Sequence, residues 1–207
     1  MLLAGLFGGV LLVALVVGDW VRFTGLTAPA SRYGCTVARR EDRLPGTAAA
    51  ALADRFDHRG LLALPHGVAR LFARERRILL RPQYRLFSLR FRTAWPIKGS
   101  IEFAAEGDAT RLLCLKRVPW SSALITLLWF ALVGVGTLGF VGAYLADGGL
   151  ASFAGLLMGV GITALGLMVL AFGLIVVTLA YRLEDQRFSQ AYEELCAALA
   201  GDRPAAP

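Results

Sequence analysis

Four arginines and four aromatic residues are interleaved through Arg81–Trp95 (RPQYRLFSLRFRTAW), the stretch whose residue types point most directly to binding chemistry. Arg81, Arg85, Arg90 and Arg92 would supply charge, and Tyr84, Phe87, Phe91 and Trp95 flat apolar contacts. Such a surface suits the anionic headgroups of a lipid leaflet, where each basic group contributes about 1 kcal/mol. It equally suits an acidic protein partner. The same residue types can hold nucleic acid through phosphate contacts and base stacking. That use is disfavoured because apolar runs on both sides tether the stretch beside lipid, so no nucleic-acid partner is expected. The competing structural reading is an edge strand with its aromatics in a core and its arginines in water.

Catalytic constellations are missing from the sequence. His58 and His66 are the two histidines, and neither stands at metal-ligand spacing from cysteine or carboxylate. No Gly-x-Ser-x-Gly, Walker A or dinucleotide fingerprint occurs. Asp54/Asp57 and Glu41/Asp42 lie among arginines and read as solvated ion pairs. Cys35, Cys114 and Cys196 form no Cys-x-x-Cys pair, which suits free thiols in a reducing compartment. The expectation is a non-enzymatic chain without metal or cofactor.

What must position the basic stretch is a set of apolar segments. The chain is 57% apolar with a mean hydropathy of +0.59, above an ordinary soluble domain. Residues 2–18, 123–145 and 150–181 contain no Asp, Glu, Lys, Arg or His and are long enough to cross a bilayer. They predict three transmembrane helices. The first could instead be a signal peptide, but nothing basic precedes it, so a retained helix is expected. Transport is disfavoured, since no ionisable group lies within these runs.

Charge suggests an orientation. Residues 19–122 carry 19 basic and 9 acidic side chains, whereas the turn at Asp147-Gly148-Gly149 carries no basic residue. Basic residues near span ends stay cytoplasmic, which puts residues 19–122 and the C-terminus inside and the N-terminus outside a bacterial inner membrane. A periplasmic domain is the competing topology. Trp20, Trp120 and Tyr181 are the expected interface anchors. Gly5, Gly9, Gly142, Gly155 and Gly159, in small-xxx-small patterns, are expected to pack helix on helix, chiefly within the three spans.

The 19–122 segment predicts a small, mainly antiparallel α+β domain of five or six strands, placed between the first and second spans. Thr24–Gly46 reads as irregular and Thr47–Asp57 as a short helix capped by Thr47 and closed by Gly60. Val68–Ala73 and Arg77–Arg81 predict a hairpin, and Arg85–Arg92 a further strand. Ile97–Ala105 and Thr110–Val118 follow, joined at Glu106–Ala109, with Lys98, Ser100 and Glu102 on the polar side. Residues 182–200 predict an acidic amphipathic helix continuing the third span and docking on the basic domain; residues 201–207 read as a disordered tail. Together these features predict an accessory, assembly or scaffolding subunit that contacts membrane lipids and either other integral subunits or copies of itself. A membrane-tethered lipid or small-ligand binding protein is the alternative.

Overall fold

The computed structural model describes residues 2–45, 51–83 and 95–201. Three long apolar helices and a six-stranded antiparallel sheet make up the architecture. The helices are α1 (Leu2–Thr24), α3 (Trp120–Ala146) and α4 (Phe153–Ala200), and a five-residue helix, α2 (Ala28–Arg32), follows the first. In chain order the sheet lies between α1 and α3. The strands are β1 (Cys35–Leu44), β2 (Leu61–Ala63), β3 (Gly67–Phe72), β4 (Arg77–Pro82), β5 (Lys98–Glu106) and β6 (Ala109–Val118), in spatial order β1-β6-β5-β4-β3-β2.

The chain does not divide into three spans with an inserted domain. One compact unit combines Met1–Ser121 with Arg182–Pro207, so α1 and the tail of α4 belong with the sheet; Ser122–Tyr181 forms the other. Helix α1 also runs six residues past the predicted end of the first span. The charges at Asp19 and Arg22 end the apolar run without breaking the helix, because neither removes a main-chain hydrogen bond.

Thr24–Gly46 is the clearest departure from expectation. It holds α2, capped by Thr27 Oγ1 accepting from Ala30 N–H at 3.3 Å, and the ten-residue strand β1. The strand was hidden because Arg39-Arg40-Glu41-Asp42-Arg43 shows no apolar alternation. It is an edge strand, and charge there discourages pairing with foreign chains. The predicted helix Thr47–Asp57 falls partly outside the described residues; within them, only a 3-10 turn, Ala53–Arg55, is formed. Gly60 (φ +69°) serves instead in the turn entering β2, where Asp57 accepts from Arg59 and Leu61 N–H. These bonds to the ionised form hold the Asp57 carboxyl below its usual range, Leu61 contributing most. The strand predicted at Arg85–Arg92 lies outside the described residues.

The two predicted hairpins form. Phe72 pairs with Arg77 and Gly67 with Pro82, the turn closing through Arg76 in a left-handed conformation (φ 47°). Glu106 pairs with Ala109 around Gly107 (φ +64°). Gly67, Ala69, Ile78, Leu80, Gly99, Ile101, Leu112 and Cys114 share one face of the sheet, and the tail of α4 packs on it at Gly67 and Gly99. Phe188, Ala191, Tyr192, Leu195 and Leu199 of that tail are almost wholly buried. Two glycines make the seat: a Cβ on Gly99 would stand 2.5 Å from Phe188 Cζ, and one on Gly67 2.9 Å from Ala191 Cβ. Burial pushes the Cys114 thiol up to about 12, so this cysteine stays protonated and packs as a small apolar group. All three cysteines are free thiols.

In the second unit, α3 and α4 pack through a glycine ridge of period seven. Cβ atoms on Gly166 and Gly173 would collide with Thr137 and the Trp129 ring, and Gly159 lies against Tyr144. Tyr144 also donates to Gly155 C=O at 2.9 Å. Close backbone approach of this kind brings the two helices into van der Waals contact. Thr137, Thr163 and Thr178 bond back to the carbonyls of Val133, Gly159 and Leu174, so their hydroxyls are satisfied within their own helices.

Candidate functional site

The opposite face of the sheet is charged, and it is only partly open to water. Alternation puts Arg70 on β3, Arg77 and Arg81 on β4, Lys98 and Glu102 on β5, and Arg111 and Arg117 on β6 toward this side. The end of α1 and the chain through α2 cover part of it. Four of the cations reach the carbonyl groups of that covering segment. Lys98 Nζ donates to Phe23 C=O at 2.9 Å and to Ala30 C=O at 2.5 Å, and lies 4.0 Å from the Phe23 ring centroid. Arg81 donates to Thr24 C=O, Arg70 to Leu26 C=O at 2.6 Å. Arg117 donates to Arg32 C=O at 2.7 Å and Gly34 C=O at 3.1 Å.

The local physics explains why cations stand here. The last carbonyls of a helix have no partner within it, and the helix dipole leaves that end negative. Gly25 follows α1 without adopting the left-handed conformation of a glycine cap, and the sheet supplies donors to the carbonyls there. Gly34 (φ +112°) permits the return into β1, since a Cβ there would sit 2.7 Å from Val118 O and 2.8 Å from the Phe23 ring. At the same joint, Asp19 accepts from Tyr33 Oη at 2.5 Å, Ser121 N–H at 2.9 Å and Ser121 Oγ at 2.6 Å. Asp19 on α1 thereby caps the start of α3. The bond to Asp19 raises the Tyr33 phenol above its ordinary value, with burial adding to it. Arg22 stacks over the Tyr33 ring at 4.6 Å.

Lys98 is 1% exposed. Burial and the nearby Arg117 guanidinium push its ammonium down to about 7, with Asp19 acting in the opposite direction. Arg117, opposite Lys98 in the ladder, is itself lowered by burial and by Arg77. The polar side predicted for Lys98 and Ser100 is therefore buried, because α1 and α2 cover it. Nothing in a one-dimensional alternation signals such a cover.

Beyond this joint the same face forms a cleft of about 280 Å³, lined by Glu75, Arg76, Arg77, Glu102, Phe103, Ala104, Arg111 and Leu113. Arg77 bonds Glu102 at 2.6 Å and Glu75 at 3.3 Å, while Arg111 Nε bonds Glu41 at 3.1 Å. The cleft thus offers both signs of charge above an apolar floor.

Of the basic stretch singled out in the sequence, Arg81 is half-buried and turned into the α1 joint, and Trp95 is half-buried. Tyr84, Arg85, Phe87, Arg90, Phe91 and Arg92 lie outside the described residues. Trp20 and Tyr181 are half-buried, whereas Trp120 is exposed. Gly155 and Gly159 contact Tyr144; Gly5, Gly9 and Gly142 face open space. His58 and His66 are both exposed; the His66 ring and main-chain N–H bond Glu194, and Gln190 lies 3.3 Å from its other nitrogen. Asp42 pairs with Arg40 at 2.7 Å and accepts from Tyr192 Oη at 2.8 Å. Among the described residues no His, Cys, Asp and Glu cluster has a metal-binding arrangement.

Comparison with protein families, with curated proteins and with solved structures finds no match. The functional reading therefore rests on the chain's own chemistry.

Proposed function

We propose that this protein is a non-catalytic integral membrane protein serving as an accessory, assembly or scaffolding subunit. The observation that carries the membrane reading is the exposure of large apolar side chains along three helices. Leu132, Leu138, Phe7 and Phe153 are 71%, 74%, 69% and 76% exposed, a surface that water does not tolerate but lipid does. All three helices are long and apolar enough to cross a membrane. The open glycine positions Gly5, Gly9 and Gly142 favour close approach by helices of other subunits or of a second copy.

The proposed orientation puts the sheet and the C-terminus in the cytoplasm of a bacterial cell and the Asp147–Ser152 turn outside, following the distribution of basic residues. Ala151→Cys tests this; it avoids Gly148, whose φ of +74° a side chain would strain. Labelling by an impermeant thiol reagent in intact cells is expected, and protection there inverts the topology. For the subunit reading, purification of the full chain in mild detergent should retain a stoichiometric partner. A lone monodisperse protein overturns it.

The cleft beside Arg76, Arg77 and Arg111 supports a second reading, a membrane-tethered protein that binds a lipid or a small charged ligand. Full-length protein would then retain a small molecule through purification, visible by native mass spectrometry, and Arg76→Glu would abolish its retention.

A further inference from the structure

We propose that Lys98 makes the joint between α1 and the sheet a proton-sensitive clasp, in which acidification releases the end of α1. The amine is enclosed, with its two carbonyl partners on residues that belong to different helices, Phe23 in α1 and Ala30 in α2. One side chain therefore holds both segments against β5.

Burial first, and the surrounding charges after it, decide which form of the amine fits. Asp19 and Arg22 lie on α1, Arg32 and Tyr33 at the end of α2, and Arg70 on β3. Arg77 and Arg81 lie on β4, Glu102 on β5 and Arg117 on β6. Glu102 is engaged by Arg77, and Asp19 by Tyr33 and Ser121. The two carbonyls and the Phe23 ring favour the ammonium, but enclosure away from water and the Arg117 guanidinium outweigh them and lower its affinity for a proton. The neutral amine keeps two N–H groups, one for each carbonyl, so deprotonation costs neither bond.

The sign follows by linkage. In the clasped state the amine's affinity for a proton is lowered to about 7, against an ordinary 10.5 in water. The released state binds the proton more tightly, so protons favour release. The ratio of released to clasped molecules should grow up to about tenfold per pH unit as pH falls from 10.5 toward 7, and level off below 7.

Hydrogen exchange of the full-length protein in nanodiscs tests this, with rates corrected for the intrinsic pH dependence of exchange. Amides of Thr24–Tyr33 should gain protection as pH rises from 7 to 9.5, approaching about tenfold per unit. Lys98→Met should show no slope, and Lys98→Arg, charged throughout, should be flat and weakly protected. A flat wild-type profile overturns the proposal, as does a slope that survives in Lys98→Met. Equal slopes at Thr24–Tyr33 and at Ile78–Leu80 also overturn it, since they report unfolding of the whole sheet. These results do not depend on whether a partner subunit exists, so failure here and failure of the subunit reading are separable.

Discussion

On one face of the sheet, Phe188 and Ala191 settle into hollows left by Gly99 and Gly67; on the other, Lys98, Arg70, Arg81 and Arg117 reach for main-chain carbonyls. The first attachment is apolar and non-directional, and its strength grows with the area removed from water. The second is built from hydrogen bonds whose net contribution is about 1 kcal/mol each, because water would make them too. Its bonds are directional, and they fix where the end of α1 lies. The contrast assigns stability to the α4 side and geometry to the α1 side.

The largest effect expected is therefore on the α4 side. Phe188→Ala empties a site that is 1% exposed and should cost about 3–5 kcal/mol. Thermal unfolding in detergent would fall, and trypsin would gain access to Arg187. A loss below about 1 kcal/mol would remove the basis of the contrast. Gly99→Ala tests the same seat by overfilling it: the new methyl meets the Phe188 ring at 2.5–2.7 Å, and a cost of about 1–3 kcal/mol is expected. Gly107→Ala, with nothing within 4 Å, separates strain at positive φ from collision with a neighbour.

Next comes the α1 side. Arg117→Gln removes donors to Arg32 and Gly34 C=O and should cost about 1–2 kcal/mol. Its signature should be disproportionate: amide exchange at Arg32–Gly34 should rise well before global stability falls. Should Arg117→Gln destabilise the protein as much as Phe188→Ala, the two faces do not divide their roles in this way.

The sequence made one of these faces legible and obscured the other. The spacing of Leu183, Phe188, Tyr192, Leu195 and Leu199 predicts the helical tail, and four of the five are buried on the sheet while Leu183 remains 49% exposed. The β3–β4 and β5–β6 hairpins are equally visible, because period two and turn chemistry are local signals. The carbonyl clasp is invisible for a physical reason. Its acceptors are main-chain atoms, which every residue carries, and its donors are separated from them by 44 to 85 positions. Strand β1 is missed for another: its charges pair with one another, with Arg111 and Glu106 of other strands and with Tyr192 of α4, so its polarity resembles that of a loop. The helix-packing glycines are half-read, since the small-xxx-small pattern finds Gly155 and Gly159 but not the seven-residue spacing of Gly166 and Gly173.

The smallest effects lie in the ion pairs at the rims, and they sharpen the contrast because the same chemistry occurs in two settings. Lys116 bonds Asp185 at 2.5 Å beside Phe188, with side chains 11% and 30% exposed. Arg43 bonds Glu106 at 2.9 Å across strand ends, with side chains 69% and 44% exposed. Water screens the second pair and leaves little net attraction, so its double-mutant coupling energy should be about 0.3 kcal/mol and vanish in high salt. The first is shielded by the docked helix and should couple by about 1 kcal/mol, with weaker salt dependence. Measured by the cycle Lys116→Met with Asp185→Asn, that coupling should also disappear in the Phe188→Ala background, because the shielding comes from the helix itself. Coupling that persists there would mean the ion pair holds the tail of α4 independently of its apolar seat.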